Sequence, residues 1–255
     1  MDAIVLAGGK IGSLGPEFCP EGQRALLRVA GKPMLAYIVE ALRKCQKIET
    51  IYLIGDCQSI APFFADLPDL VLLPAGEDLI DNALAGIKRC QGQVIIASAD
   101  IPLLSAEILE EFIALCSCYP EHDFYYPVIP RQVNDLVFPG TKRTYFKFID
   151  GEVTGGNIFI FNASMPPDQL SRVEEFGRSF TDARKTKIRI VLKVGIFFLL
   201  KMFLGRVSLA EAERKVSRLV GFKGKVLPFE KPEIALDVDK ESDLKAAEAA
   251  LRIEN

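Results

Sequence analysis

Four short runs of apolar residues recur through the first part of the chain: residues 3–7 (AIVLA), 50–54 (TIYLI), 70–73 (LVLL) and 94–97 (VIIA). Each ends at a glycine, a proline or a small polar residue. A strand with no polar position has no face left for water, so these runs predict strands covered on both sides. Stretches with helical spacing lie between them. Residues 33–45 open on Pro33, which suits the first turn of a helix. A short helix is expected over 59–65, and residues 78–90 space Leu79, Ala83 and Ile87 along one side. Ser105 is placed to cap a further helix that reaches Leu115. Strands alternating with helices across short connections require parallel pairing, right-handed crossovers and helices on both faces. Ligands of such sheets bind beyond the carboxyl ends of the strands.

The later part of the chain is patterned differently. Strands are expected over 124–129, 145–149 and 154–161, with shorter ones at 226–227 and 234–236. Helical spacing extends from about 174 to 219 with a break at Gly205, and Ser208 with Glu211 forms a capping box. An amphipathic helix over 240–252 closes the pattern. With no internal repeat and no low-complexity linker, 255 residues read as one α/β domain carrying a helical insertion at about 167–220.

Composition removes several function classes. Hydrophobic residues make up 49% and charged residues 25%, which excludes general disorder. A net charge of -3 gives no nucleic-acid surface, so an anionic substrate must be met by a local cationic pocket. The six cysteines form no C-x-x-C pair, so no zinc site is expected. They read as reduced thiols of a cytoplasmic protein, since the chain opens directly on a strand-like run. The single histidine, His122, sits between Glu121 and Asp123 and has no partner for a Ser-His-Asp mechanism. Residues 188–204 (IRIVLKVGIFFLLKMFL) carry Arg189, Lys193 and Lys201, too many charges for a membrane span. This segment predicts a helix whose Ile196, Phe197, Leu200 and Phe203 cover the second half of the domain or a partner subunit. A homodimer is left open, and a peripheral membrane contact, which the cationic and apolar mixture of this segment allows, is the less favoured reading.

Candidate site residues fall at the strand ends. Leu6, Ala7, Gly8, Gly9 and Lys10 follow the first run, and glycines there let a backbone approach phosphate closely. The loop continues to Gln23 through Gly12, Gly15, Pro16, Pro20 and Gly22, a length that points to function. Arg24, Arg28 and Lys32 then place three cations before a helix, where they are of use only with an anion between them. Asp100, in Ser-Ala-Asp-Ile-Pro, follows the fourth run and is placed to hold magnesium, although an aspartate there can also simply shape a turn. Thr154-Gly155-Gly156-Asn157 enters a later strand, where glycine marks close approach. Asp237 and Asp239, two residues apart in a strand-like segment, point the same way, so either reaches one metal; Asp239 can also cap the last helix.

Taken in order, LAGGK, GKPM, ADIPL, TGGN and DVDxxxDL resemble the MobA-like NTP transferase family, related to the molybdenum-cofactor guanylyltransferases. They resemble more distantly the cytidylyltransferases of isoprenoid synthesis and the sugar-1-phosphate nucleotidyltransferases. The resemblance spans nearly the whole chain. It implies a three-layer αβα, Rossmann-like, mostly parallel mixed sheet of the nucleotide-diphospho-sugar transferase type. Residues 1–120 would form the NTP-binding half and 121–255 the acceptor-binding half. The glycine loop would bind NTP, GTP or CTP before others, with Gly76 and Asn82 near the base and Gly156 and Asn157 facing the acceptor. Mg2+ would sit on Asp100, with a second contact from Asp239 and then Asp237. Arg24 and Lys10 would serve the triphosphate. Two positions depart from the family: Ser13 stands where an arginine is usual, and Arg24 where a lysine is usual. Arginine keeps the charge but not the point-like geometry.

The implied chemistry is attack of a phosphorylated small-molecule acceptor on the α-phosphorus of the NTP with loss of pyrophosphate. It needs positioning and charge rather than a histidine base. A catalytically weak nucleotide-binding regulatory protein of the same fold is the alternative, motivated by Ser13 and Arg24. A dinucleotide oxidoreductase is disfavoured, because G-x-G-x-x-G is missing.

Overall fold

The computed structural model describes residues 1–9, 14, 19, 22–64, 67–183 and 195–253. In chain order its elements are β1 (Asp2–Leu6), the ribbon β2 (Arg28–Val29) and β3 (Lys32–Pro33), α1 (Met34–Lys44), β4 (Ile51–Gly55), α2 (Cys57–Phe64), β5 (Leu70–Pro74), α3 (Leu79–Ile87), β6 (Gln93–Ser98) and α4 (Ala106–Ser117). Then follow β7 (Phe124–Pro130), α5 (Arg131–Val137), β8 (Phe146–Phe148), β9 (Gly151–Gly155), β10 (Ile158–Asn162), α6 (Pro167–Ala183), α7 (Ile196–Phe203), α8 (Leu209–Val220), β11 (Gly224–Pro228) and α9 (Glu241–Ile253).

The four apolar runs are the parallel part of the sheet, in the order β5-β4-β1-β6; β5 lies at the edge and, against expectation, is only partly covered, with Val71 exposed. Side chains of β1 alternate between two layers, as the period of a strand demands. Ala3 and Val5 enter a core with Leu35 of α1, Leu109 of α4 and Ala247 of α9. Ile4 enters the opposite core with Ile87 of α3 and Ile96 of β6. The sheet is therefore covered on both faces, which makes three layers. On the α3 side the packing is close: a Cβ at Gly86 would stand 2.8 Å from Ile4 Cδ1.

Beyond β6 the sheet becomes mixed. β10 pairs antiparallel with β6 and β7, β9 pairs antiparallel with β7 and β8, and β11 runs parallel to β7. Strands from both parts of the chain thus share one sheet. The span 154–161, expected as a single strand, is broken at Gly156–Asn157. Gly155 pairs with Val128 and Ile160 with Tyr125, so two extra residues are looped out against β7. The bulge sends the Asn157 carbonyl to the Ser98 amide (2.9 Å) and brings the Asn157 amide to the Ile234 carbonyl (2.8 Å).

Four other expectations change. Residues 234–236 do not pair as a strand; Pro232–Ala235 is a 3-10 turn, because Pro232 fixes φ at its start and the Ile234 carbonyl is taken by Asn157. α5 occurs where no helix was predicted. The long helix starts at Pro167, ahead of residue 174. Of the segment 188–204, residues 188–194 lie outside the described residues. The remainder forms α7, bracketed by Gly195 and Gly205 with φ of 90° and 64°. Its side chains do not cover the second half of the domain: Phe197 is 82% and Phe203 85% exposed, and Leu200 is half exposed. A two-turn helix with apolar residues all round cannot turn every one of them inward. Among the described residues, no helix is long and apolar enough to cross a membrane.

Candidate active site

The carboxyl ends of β1, β5 and β6 open into a cleft of about 280 Å³. Its lining includes Leu6, Ala7, Gly8 and Gly9 from the end of β1, Gly76, Glu77 and Asp78 after β5, Asn82 of α3, and Ser98 to Asp100 after β6. Gly8 is required by space: a Cβ there would stand 2.9 Å from Asn82 Nδ2 and 3.4 Å from the Ala75 Cβ. Asn82, buried at the floor, accepts from the Gly76 amide (2.6 Å) and so fixes the loop after β5 against the glycine loop. Asp78 accepts from the Asp81 amide (2.8 Å) and caps α3, directing the amino end of that helix at the cleft.

Arg24 is the one cation among the described lining residues. Its amide donates to the Gly9 carbonyl (3.1 Å), which places it at the start of a 3-10 turn beside the glycine loop. Its guanidinium reaches Asp100 (2.8 Å) and also pairs closely with Asp239, while Asp237 lies at 4.0 Å. Three acidic groups distant in sequence therefore meet around one arginine. Asp100 arrives from the end of β6, where the Ser98 hydroxyl donates to it. Asp237 and Asp239 arrive from the irregular segment before α9, which is held on the β6 end by the Val238 amide donating to the Asp100 carbonyl (2.9 Å). Asp243, buried in the first turn of α9, accepts from the Asp239 amide (3.3 Å) and orients that segment further.

Burial pushes the Asp100 carboxyl above the usual carboxylate range. Arg24 and the Ser98 hydroxyl oppose this, and the neighbouring Asp237 adds to it. Burial raises Asp243 in the same way, against the pull of Arg143 and Lys240. One carboxylate oxygen each from Asp100, Asp237 and Asp239 can be chosen so that all lie within 4.8 Å of one another. That all-oxygen set suits a hard divalent cation such as Mg2+. A positive charge already stands among them in Arg24, which fits the same demand for neutralisation.

Arg143, which no sequence motif indicated, completes the group. It lies in the loop between α5 and β8, its side chain only 9% exposed. It pairs closely with the Asp237 carboxylate and donates to the Asp237 carbonyl (3.3 Å). Arg24 and Arg143 each keep a buried Nε with no hydrogen-bond partner among the described residues. Lys10 lies outside the described residues. Gly156 and Asn157 are not part of the cleft lining: a Cβ at Gly156 would meet Ile234 and Pro127, and the Asn157 side chain donates to the Ile234 carbonyl (3.2 Å).

The pattern of the MobA-like NTP transferase domain matches residues 3–171. A probable molybdenum cofactor guanylyltransferase of Thermococcus kodakarensis is 29% identical over 112 residues, or 43% of this chain. That match spans about half (51%) of the relative's length. A solved structure described as a hypothetical transferase from Thermus thermophilus is 33% identical, with a TM-score of 0.82 over 95% of this chain and 98% of that one. Molybdopterin-guanine dinucleotide biosynthesis protein A from Archaeoglobus fulgidus shares the fold at 14% identity, with a TM-score of 0.55 over 99% of this chain and 100% of that one. The pattern covers most of the chain and ends its strands at this cleft, and the chain belongs to the MobA-like NTP transferase family, a family of nucleotidyltransferases.

Proposed function

We propose that the protein transfers a nucleoside monophosphate from an NTP, GTP or CTP in the first instance, to a phosphorylated small-molecule acceptor, releasing pyrophosphate. The observation that carries this reading is the meeting of Asp100, Asp237 and Asp239 at the glycine-loop cleft, around Arg24. The nucleotide would lie along Gly8 and Gly9, with its base toward Gly76 and Asn82 and its phosphates toward Arg24. Asp100, Asp237 and Asp239 would hold Mg2+, which when bound supplies charge neutralisation at the phosphate oxygens. Arg24 would leave the carboxylates and turn its guanidinium to the triphosphate, a move its backbone anchor at Gly9 permits. Arg143 holds the Asp237 carboxylate in place, and Asp243 holds the Asp239 backbone. An acceptor phosphate is already anionic at neutral pH, so no side chain need remove a proton from it.

The alternative, a nucleotide-binding regulatory protein with little turnover, is favoured by one feature: Arg24 itself fills the space among the three carboxylates. Pyrophosphate release measured with each of GTP, CTP, UTP and ATP, with and without Mg2+, separates the two. Release from one nucleotide that depends on Mg2+ supports transfer. Specific thermal stabilisation by a nucleotide without pyrophosphate release supports the regulator.

A further inference from the structure

The described surface made by α7 and the β8–β9 turn leaves large apolar side chains in water. Phe197, Phe203, Leu200, Leu204, Phe146 and Ile149 are each at least half exposed. They belong to one joined surface. The Ile149 amide donates to the Val207 carbonyl (2.9 Å), the Leu209 amide donates to Asp150 (2.7 Å), and the Lys147 side chain packs over Gly205. Lys147, Lys201 and Arg206 are exposed on the same surface. The charge of this stretch is unlike that of the chain as a whole. Residues 183–210 contain seven cations and no acid in a chain of net charge -3; of these Lys201 and Arg206 lie among the described residues, and Lys201 also reaches Glu211 (3.5 Å), the first acid after the stretch.

We propose that this face docks on an anionic lipid bilayer. Exposed aromatic and aliphatic groups beside clustered cations are what binds in the plane of a bilayer surface, with the apolar side chains among the headgroups and the cations on the lipid phosphates. α7, at eight residues, lies in that surface without crossing it. A second copy of the chain fits this face less well, because a twofold contact sets the same patch against itself and brings the two sets of cations together. The docking face also adjoins the site: Arg143, which holds Asp237, precedes Phe146 by three residues in the same strand-entering segment. The inference rests on exposure and charge and does not depend on the reaction proposed above.

Flotation of the full chain with vesicles tests it, using phosphatidylcholine alone and phosphatidylcholine mixed with phosphatidylglycerol. The protein is expected to float with the anionic vesicles at low salt and to be released at high salt. Phe197→Ser with Phe203→Ser should lower vesicle partitioning roughly tenfold, and Lys201→Glu with Arg206→Glu should remove the preference for anionic lipid. Both variants should keep the wild-type melting temperature, since these side chains are exposed. No flotation on anionic vesicles at low salt overturns the proposal. So does flotation that the phenylalanine substitutions leave unchanged, and so does a dimer that those substitutions dissociate without any vesicle binding.

Discussion

The cleft and the α7 face handle their awkward groups in opposite ways. At the cleft, charge is drawn largely out of water and compensated: Arg24 and Arg143 stand against Asp100 and Asp237, with Asp239 at the more exposed rim, and backbone hydrogen bonds tie Arg24 to Gly9 and Val238 to Asp100. On the α7 face, apolar surface is left in water and nothing among the described residues covers Phe197 or Phe203. Buried charge in the first region is costly unless paired, so its geometry is narrowly fixed. Exposed apolar surface in the second costs the fold little and constrains it little. The two regions should therefore respond differently to substitution: the first loses function or stability, the second only association.

Asp100→Asn gives the largest effect. Transfer should fall by about 100-fold or more, while the melting temperature stays near that of the wild type, because the amide fills the same space and removes a buried charge. Wild-type turnover in this variant would take Asp100 out of the site and reduce the contrast to packing alone. Arg143→Met should destabilise the fold by about 3 kcal/mol, the usual cost of stripping one partner from a buried ion pair, with Arg143→Lys recovering part of the loss. Denaturant titration measures both. An unchanged stability would mean that Asp237 does not need its partner.

Gly86→Ala should cost about 2 kcal/mol by pushing α3 away from Ile4, yet leave turnover per folded molecule close to the wild type. A disproportionate loss of activity would mean that the position of α3 controls the cleft more tightly than Asn82 alone requires. The smallest effect is expected where α6 packs on the amino end of α3. Arg178 of α6 pairs with Asp78 (3.0 Å) and Asp81 (2.6 Å) at the amino end of α3. The Arg178 hydrogen bond holds the Asp81 carboxyl below the usual carboxylate range. A carboxyl depressed in the folded state stabilises above its unfolded pKa, and the contribution is lost as pH falls through the depressed value. Arg178→Ala should therefore lower stability slightly at neutral pH, where the pair contributes, flatten the decline as pH falls through that range until the two proteins converge in acid, and speed amide exchange in α6. Identical acid profiles for the two proteins would show that the clamp is cosmetic.

The sheet centre was legible in the sequence because the runs in β1, β4 and β6 have no polar face, a pattern that leaves few alternatives; the equally apolar run of β5 hid its place at the sheet edge. Asp100, Asp237 and Asp239 were legible because they sit at the ends of such runs or two residues apart in a recognisable pattern. Asp237 and Asp239 converge for a reason other than the one inferred: their segment is irregular, and Val238, bound to the Asp100 carbonyl, aims them. Arg143 was hidden because its partner lies 94 residues away and its neighbours, Thr141 and Lys142, read as an ordinary polar loop. α5 was hidden by Pro130 before it and Pro139-Gly140 after it, which read as turn residues although Pro130 serves as the cap. The exposure of α7 was not legible, since an apolar run reads the same whether it faces a core, a subunit or a bilayer.

The contact between Arg24 and Asp239 joins residues 215 positions apart. Its consequence lies in the order of assembly. The strands β1, β4, β5 and β6 pair among residues 2–98, and their early contacts are the ones with the lower cost of loop closure. Asp237 and Asp239 can join only after the segment following β11 has been made and laid across the end of β6. During synthesis the cleft lined by residues 6–100 can take shape long before Asp237 and Asp239 arrive, so the growing chain passes through a stage in which Asp100 stands without those two partners. The arrangement on which the proposed transfer depends is thus completed only once residue 239 has been made.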